Sequence, residues 1–281
     1  ALFAGITAVL AKEGIRTTDS TVATALRTIV VLAGAWGMVF IVGSQAELAH
    51  LDARSTGLLV LSGLATGASW LCYFKALQLG SVSKVVPIDK LSTVLTVLLA
   101  LIFLGERVNL VGALGVVLIA VGTLLMLDAD DLRGLPRAVR DGGGWLLYAL
   151  GSAFFAALTA ILGKAGITGV ESNLGTAIRT GVVLVMAWVM VAVTGKVHEV
   201  RSVPRGELGF VLASGAATCA SWLCYYRALQ DGPASVVVPI DKLSVLVTVF
   251  FSALVLREAV SRRYLIGLAL LVGGTLGMLV P

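Results

Sequence analysis

The strongest constraint on the fold is a seven-residue motif, V-P-I-D-K-L-S, that the chain contains twice. It covers residues 86–92 and again residues 238–244, and the offset of 152 residues holds without gaps at the other matched positions. Arg27 and Arg179 are one such pair, and Trp36 and Trp188 are another. We call residues at this offset repeat mates. The duplication predicts two similarly folded halves, each with a proline, an aspartate and a lysine near the start of an apolar run.

The composition is typical of a chain that crosses a membrane several times. Hydrophobic residues make up 58% of the 281 residues and charged residues only 13%, a balance that soluble domains do not have. A spanning helix needs about 20 apolar residues. We predict ten spans, at residues 1–14, 20–43, 55–79, 83–104, 108–127, 145–165, 172–195, 207–229, 235–256 and 260–280.

A polar segment at residues 128–144, with a proline and three closing glycines, separates the two halves. We predict a five-helix repeat at residues 1–127, a linker at 128–144 and a second five-helix repeat at 145–281. The first span is shorter than its mate, which begins near Trp145, so we expect it to lack its opening turns. No cleavable signal peptide is visible.

The odd number of spans in each repeat predicts that the second repeat is inverted relative to the first. Inverted repeats are an architecture of secondary transporters, in which the substrate site lies near mid-membrane where the repeats meet. The predicted fold class is therefore an all-α integral membrane protein. Its ten transmembrane helices would form two inverted five-helix repeats around a central cavity.

Positive charges on the short loops predict the orientation of the chain. With the repeat-matched cations set aside, 11 Lys and Arg residues lie on the side reached after odd-numbered spans, and only Arg54 and Arg107 lie on the other side. The positive-inside rule then places the first side in the cytoplasm and both termini outside. We expect a multi-pass protein of the inner (plasma) membrane.

Ten ionisable residues lie within or at the ends of the spans, in repeat-matched pairs. Lys12 and Lys164 are near helix ends, where a lysine can equally well reach the headgroups. The two arginines of spans two and seven and the two aspartates lie deeper, where an unpaired ion facing lipid is costly, so we favour pairing or a water-lined cavity. Because inversion puts mates toward opposite faces, we predict two gates. The predicted gate and ion-coupling residues are Lys12, Arg27, Lys75, Asp89, Lys90, Lys164, Arg179, Arg227, Asp241 and Lys242.

Span four carries a polar stripe, and span nine repeats it. Asp89, Ser92 and Thr96 follow the spacing i, i+3, i+7, which puts them on one helix face that is expected to point into the bundle. Pro87 and Pro239 each precede the aspartate by two residues. Either the proline frees backbone carbonyls and lets the helix end move, or it lies in the first helical turn, where it costs little.

Aromatic residues on spans three and eight are candidates for a cavity wall. Trp70 and Tyr73 are three residues apart and share a helix face, and their mates do the same. The competing interpretation is packing or an interfacial belt, although Trp70 lies near the middle of its span. The predicted substrate-cavity residues are Trp70, Tyr73, Ser92, Thr96, Trp222, Tyr225, Ser244 and Thr248.

Glycines seven residues apart, Gly115 and Gly122 with their mates Gly267 and Gly274, predict a smooth helix face for close packing within or between protomers. The three cysteines lie in apolar runs without metal-ligand spacing, so neither a disulfide framework nor a metal site is predicted. No cofactor motif is present, and the charges sort by membrane side rather than as a nucleic-acid footprint. The predicted partners are a small-molecule substrate and the lipid bilayer, with the chain as a monomer or homodimer.

Several motifs together resemble a known family. They are A-L-R-T at residues 25–28 with A-I-R-T at 177–180, an aromatic third span that ends in A-L-Q, the proline-bearing fourth span, and G-E-R at 105–107 before a glycine-rich fifth span. In the second copy Arg257 replaces the glycine of G-E-R. The chain resembles the drug/metabolite transporter superfamily and, within it, the EamA-like permeases, as if two small five-span members were fused.

The resemblance implies a ten-helix bundle whose central cavity is formed largely by spans three, four, eight and nine, and the export or exchange of small metabolites. It does not specify the cargo, and many relatives place both termini in the cytoplasm. Our leading hypothesis is a secondary active transporter of a small polar or charged metabolite, working by alternating access, with Asp89 and Asp241 as gate or proton-coupling groups. The alternatives are a lipid-headgroup flippase and an intramembrane hydrolase that uses the two aspartates.

Overall fold

The computed structural model describes residues 1–79, 88, 91–126, 144–255 and 261–279. All regular structure in these residues is helical. Two short 3₁₀ helices, Ser44–His50 and Val197–Ser202, accompany the α-helices. The α-helices are α1 Leu2–Gly14, α2 Ser20–Val42, α3 Ala53–Leu79, α4 Ser92–Phe103, α5 Leu110–Leu125, α6 Gly144–Gly166, α7 Ser172–Val193, α8 Arg205–Asp231, α9 Ala234–Lys242, α10 Ser244–Val255 and α11 Arg262–Gly277.

Five of these helices are long and apolar enough to cross a membrane: α2, α3 over Ala53–Tyr73, α6, α7 and α8. Shorter apolar helices accompany them. Large apolar side chains are exposed along the helices, among them Ile41, Leu110 and Val193, each more than three-quarters exposed. Helices satisfy their own backbone hydrogen bonds and can therefore turn such side chains toward lipid. The protein is an all-α membrane protein.

Capping side chains determine where several helices begin. The Asp19 carboxylate accepts hydrogen bonds from the Thr21 and Val22 amides at the start of α2. Its repeat mate Glu171 accepts from the Asn173 and Leu174 amides at the start of α7. The first amides of a helix have no partner within the helix, so an acidic cap both satisfies them and complements the helix dipole.

The ninth predicted span forms two helices rather than one. Helix α9 ends at Lys242 and α10 begins at Ser244, and between them the Leu243 amide donates to the Ile240 carbonyl at 3.1 Å, a tighter i to i−3 turn. Pro239 is the sixth residue of α9, so the first-turn interpretation is wrong for this proline. In the first motif copy, Leu91 donates to the Ile88 carbonyl at 3.0 Å in the same way. The second motif copy therefore ends one helix segment and begins another, and the first copy shares its tight turn.

The chain divides into two compact units, each with segments from both halves of the sequence. Unit 1 comprises Ala1–Gly67, Leu162–Gly232 and Ser244–Arg257. In it, α8 packs against α1, α2 and α7, α2 also packs against α7, and α1 packs against α10. Unit 2 comprises Ala68–Ile161, Pro233–Leu243 and Glu258–Pro281. In it, α5 packs against α11, and α4 packs against α9 and α5.

The repeat-mate helices α2 and α7 run antiparallel within unit 1. Lys196, just after the C-terminal end of α7, forms an ion pair with Asp19 at the N-terminus of α2. At the other end, the Glu171 amide at the start of α7 donates to the Glu47 carboxylate, just after α2, at 3.2 Å. Each helix start is thus joined to the segment that follows the end of its mate.

The repeat-mate helices α5 and α11 also run antiparallel, within unit 2, and their glycines bring the backbones together. A Cβ on Gly122 would lie 2.5 Å from the Gly267 carbonyl oxygen, and a Cβ on Gly115 would lie 2.5 Å from that of Gly274. Neither distance is sterically possible, so only glycine permits this approach. The predicted smooth faces therefore pack against each other within one chain, as small residues do in membrane helices.

Candidate functional site

The candidate site is built around Arg179, eight residues into α7 and only 3% exposed. Its Nε donates to the Ser62 hydroxyl oxygen at 3.0 Å, and its Nη2 donates to the Thr66 hydroxyl oxygen at 2.6 Å. Thr66 in turn donates to the Ser62 carbonyl at 2.9 Å on its own helix, α3. The arginine therefore joins α7 to α3 through two neutral hydroxyl groups one helical turn apart.

Two aromatic rings of α8 complete the surroundings of this guanidinium. The Cζ atom of Arg179 lies 4.9 Å from the ring centroid of Trp222 and 4.9 Å from that of Tyr226. The ring of Tyr225 contacts that of Tyr226 edge to face, with centroids 5.2 Å apart. At such distances the negative ring faces attract the cation. The structure thus brings together two predicted site residues, Arg179 and Trp222.

The Arg179 charge is held by neutral groups. Among the described residues, the ion pairs join Arg16 to Glu13, Lys196 to Asp19 and Arg227 to Asp231, and no carboxylate is paired with Arg179. Its Nη1 atom is buried and has no hydrogen-bond partner in the part of the chain that the structure describes. Burying a charged donor without an acceptor is unfavourable by several kcal/mol as an order of magnitude. A hydrogen-bond acceptor placed beside Nη1 would therefore lower the free energy of this site.

Arg27, the repeat mate of Arg179, has the same backbone contacts but different side-chain contacts. A Cβ on Gly215 of α8 would lie 2.8 Å from the Arg27 carbonyl oxygen, and a Cβ on Gly63 of α3 would lie 3.1 Å from that of Arg179. Arg27 itself is half-buried. Among the described residues, no hydrogen bond joins it to Ser214 or Thr218, the mates of Ser62 and Thr66.

The hydroxyls that correspond to the Arg179 acceptors contact α1 instead. Ser214 donates to the Thr7 carbonyl at 3.3 Å, and the Thr218 hydroxyl lies 3.4 Å from the Thr7 hydroxyl. Thr218 also donates to the Ser214 carbonyl at 2.8 Å, as Thr66 does to Ser62. The two copies therefore share their helix packing and the hydrogen bond from the threonine hydroxyl to the serine carbonyl within one helix. They differ in the groups that the hydroxyls contact on other helices.

Lys164, at the end of α6, stabilises a helix end. Its Nζ donates to the carbonyls of Leu229 and Gly232, the latter at 2.8 Å. In the opposite direction, the Gln230 side chain donates to the carbonyls of Ile167 and Val170, at 3.1 and 2.8 Å. A cation on the last carbonyls of a helix satisfies orphan acceptors and complements the dipole. The lysine therefore stabilises the C-terminal end of α8. Its role in a gate stays a prediction.

Glu106, in the G-E-R motif, caps the helix that carries the second V-P-I-D-K-L-S copy. Its two carboxylate oxygens accept from the amides of Ala234 and Ser235, the first residues of α9, at 2.7 and 2.8 Å. Gly105, with a φ of +64°, provides the left-handed turn that precedes it. A pocket of about 550 Å³ beside this cap is lined in part by Arg107, Asn109 and Ser235, and none of its lining residues was predicted as a site residue.

The two described residues of the predicted polar stripe of span four, Ser92 and Thr96, are buried. Ser92 is 4% and Thr96 1% exposed, and the Thr96 hydroxyl donates to the Ser92 carbonyl at 2.8 Å. On α3, Tyr73 packs against an apolar cluster in unit 2 that includes Ala76 and Leu146. Trp70 is half-buried, and Lys75 is exposed.

The other predicted site residues have contacts of their own or lie outside the described part of the chain. Arg227 is exposed and pairs with Asp231 one turn along its own helix, at 2.8 Å. Asp241 and Lys242 end α9, and Ser244 begins α10, all three half-buried. Asp89 and Lys90 lie outside the described residues, as do the side chains of Lys12 and Thr248.

The sequence prediction missed three parts of the Arg179 site: Ser62, Thr66 and Tyr226. The two hydroxyl residues are repeat mates of Ser214 and Thr218 and are one helical turn apart. A search for repeat-matched hydroxyl pairs at this spacing would have found them. Tyr226 carries no such signal, because its mate is Phe74 and its ring is that of an ordinary core residue.

A comparison with known proteins identifies the family and the fold. The model of the EamA-like transporter family matches residues 1–128 and again residues 143–280. A solved structure, whose title reads only "Crystal structure of protein", aligns with a TM-score of 0.76 and 16% identity over 99% of this chain and 94% of its own. That likeness concerns the fold alone.

Two curated relatives carry the name of transporters. An "Uncharacterized transporter in cobO 3'region" of Sinorhizobium sp is 46% identical over 126 residues, which are 45% of this chain and 89% of the relative. Nearly the whole relative thus corresponds to about half of this chain. The "Uncharacterized transporter YxxF" of Bacillus subtilis (strain 168) is 26% identical over 159 residues, half of each chain. With both halves matched by the family model, this chain belongs to the EamA-like transporter family.

Proposed function

We propose that this protein is a secondary active transporter, an exporter or exchanger, that moves a small polar or charged metabolite by alternating access. The membrane-transporter class follows from its family. The observation that carries the mechanism is the difference between Arg179 and Arg27. Two repeat mates lie on equivalent backbone contacts, yet within the described residues Arg179 joins two helices through its side chain and Arg27 does not. A two-gate carrier needs one gate joined while the other is released.

The antiparallel course of two mate pairs, α2 with α7 and α5 with α11, supports the division into two inverted repeats. We take residues 1–127 and 145–281 as these repeats and 128–144 as their linker. In this proposal the ten repeat-matched ionisable residues named above belong to the gates and the coupling pathway. The cavity wall is formed by the aromatic residues of α3 and α8 and by the polar stripes of α4 and α10. The protein lies in the inner membrane of the cell.

The proline in each motif copy and the helix break at Leu243 support the proposal that the ends of the motif helices move. Asp241 lies two residues before that break, and Asp89 is its mate in the first motif copy. An intramembrane carboxylate marks a substrate or ion pathway by default. We assign both aspartates to proton coupling or gating rather than to hydrolysis, because the family is one of transporters.

Transport into proteoliposomes tests this function directly. We expect the purified protein to accumulate at least one of a panel of labelled amino acids, organic acids and sugar phosphates when a pH gradient is imposed. Asp241→Asn and Asp89→Asn should each lower that flux by about tenfold or more, because an amide cannot carry the proton. Asp52→Asn is the matched control, since that side chain is exposed and an asparagine can keep its hydrogen bond from the Ser55 amide. Unchanged flux and unchanged pH dependence in both variants would rule out the coupling role.

A further inference from the structure

We propose that the Arg179 guanidinium is the docking point for an anionic group of the cargo, a carboxylate or a phosphate. The inference rests on the transport function proposed above and names the chemical class of its substrate. It starts from an imbalance at Arg179: a fully charged side chain, 3% exposed, with more donors than acceptors around it.

The donors of Arg179 can be counted one by one. A guanidinium carries five N–H groups, one on Nε and two on each terminal nitrogen. The Nε group is used by the Ser62 hydroxyl and one Nη2 group by the Thr66 hydroxyl. Two donors remain on Nη1, which has no partner, and one on Nη2. The edge between Nη1 and Nη2 therefore offers one N–H from each nitrogen, side by side.

That edge fits an oxyanion. Two parallel N–H groups of an arginine match the two oxygens of a carboxylate or phosphate, and such charge-assisted pairs are about twice as strong as neutral hydrogen bonds. The bonds from Nε and Nη2 to α3 hold the guanidinium plane in place before an anion arrives. A prepared fork loses less conformational freedom on binding, which favours affinity.

The charge around Arg179 favours an anion over a neutral acceptor. The rings of Trp222 and Tyr226 attract the cation but carry no net charge, and the two hydroxyl acceptors are neutral. In the described part of the chain no carboxylate is paired with this arginine. A buried cation without a counter-ion is stabilised far more by an anion than by another neutral group.

Arg27 supplies a matched control from within the same chain. It has the same position in its repeat and the same glycine-mediated backbone contact. Its equivalent hydroxyls bond to Thr7, and its side chain is half-buried. As far as the structure describes the chain, the anion site is therefore assembled at Arg179 and not at Arg27, and substituting the two arginines separates a local effect from a general loss of positive charge.

The experiment measures anion binding to the purified full-length protein in detergent, independently of transport. The probes are acetate and inorganic phosphate, titrated against chloride at constant ionic strength. We expect a saturable change in tryptophan emission, because Trp222 lies against the guanidinium. We also expect a rise in Tm of about 2 °C or more, since a ligand of the folded state stabilises it. The stronger of the two responses identifies the carboxylate or the phosphate as the preferred group.

The variants assign the response to this arginine. Arg179→Met should lose both signals, whereas Arg27→Met should keep both. Trp222→Phe should lose the emission change and keep the rise in Tm. Should Arg179→Met not fold, Arg179→Lys serves instead: it keeps the charge without the fork, and we expect about tenfold weaker binding.

Three results would overturn the proposal. They are a wild-type protein that responds to neither anion, an Arg179 variant that responds like the wild type, and an Arg27→Met variant that loses the response to the same extent. None of these three results depends on the transport assay. A protein that transports a neutral probe without any anion response would refute the anion site and leave the transporter function standing.

Discussion

The hydroxyl residues near Arg179 and near Arg27 are of the same types and lie on mate helices, but they have different partners. Around Arg179, a serine and a threonine of α3 accept hydrogen bonds from the guanidinium. Around Arg27, the matching serine and threonine of α8 contact Thr7 of α1. Matching hydroxyl residues on mate helices thus have two different sets of side-chain partners.

The difference arises from competition for hydroxyl groups. Thr66 and Thr218 each donate to a carbonyl one turn earlier on their own helices, whereas Ser214 donates to the Thr7 carbonyl of α1. On α8 the neighbouring helix α1 brings Thr7 within reach of both hydroxyls, whereas on α3 the arginine occupies them. A neutral hydrogen bond is worth about 1 kcal/mol and one to a charged group about 1.5–3 kcal/mol, so the contacts of the guanidinium are the stronger set.

The largest expected effect tests the part that the two sites share. Gly63→Ala and Gly215→Ala should each lower stability by about 1–3 kcal/mol, because the new methyl group meets the facing helix in a packed interface. The nearest obstacles are 2.7 Å away at Val182 and 2.8 Å away at the Arg27 carbonyl oxygen. Thermal unfolding in detergent measures the loss.

Gly37→Ala is the control for this pair, since nothing lies within 4 Å of a Cβ at Gly37 on α2. It should keep or slightly raise stability, because alanine favours the helix. A marked difference between the Gly63 and Gly215 variants would show that the two backbone arrangements are not equivalent.

An intermediate effect tests the part that differs. Thr66→Ala leaves Arg179 Nη2 without its 2.6 Å acceptor, whereas Thr218→Ala removes only a long 3.4 Å contact with Thr7. Both variants also lose the hydrogen bond from the threonine hydroxyl to the carbonyl one turn earlier on the same helix. We expect Thr66→Ala to cost about 1 kcal/mol more, since an unsatisfied buried donor carries a desolvation penalty. Equal losses in unfolding measurements on the two variants would remove the asymmetry.

The smallest effect concerns the helix starts, where α2 and α7 again differ in their partners. Burial raises the pKa of the Asp19 carboxyl. The ion pair with Lys196 and the hydrogen bonds from the amides of Thr21 and Val22 lower this pKa by a larger amount, so that it lies below the ordinary value. The carboxylate therefore stabilises the fold above pH of about 4, and this contribution is lost as the pH falls through the lowered pKa.

Lys196→Met tests this cap. We expect the variant to lose stability at pH 7 and progressively less as the pH falls below about 4, so that its Tm approaches that of the wild type as Asp19 takes up a proton. Thermal unfolding at several pH values gives the comparison. A Tm difference that stays constant across this range would mean that the ion pair does not control the Asp19 carboxyl.

Much of the fold was predictable from the sequence. Hydropathy predicted the helices, and the close packing of the glycine faces followed from their seven-residue spacing, since only glycine allows two backbones to approach so closely. The buried stripe of Ser92 and Thr96 followed from helical periodicity. The division of the ninth span was less visible, because a proline within an apolar run is compatible with both a continuous and a broken helix.

What the sequence by itself determined is therefore the all-helical membrane class, the duplication and the residue types available for buried polar contacts. These features depend on local composition and spacing, from which hydrophobicity and helix geometry predict the structure directly. Only the tertiary structure decided that Arg179 bonds to Ser62 and Thr66 while the matching hydroxyls contact Thr7. The two copies have the same sequence signal there, and the choice between near-equal partners depends on which helix lies within hydrogen-bonding distance.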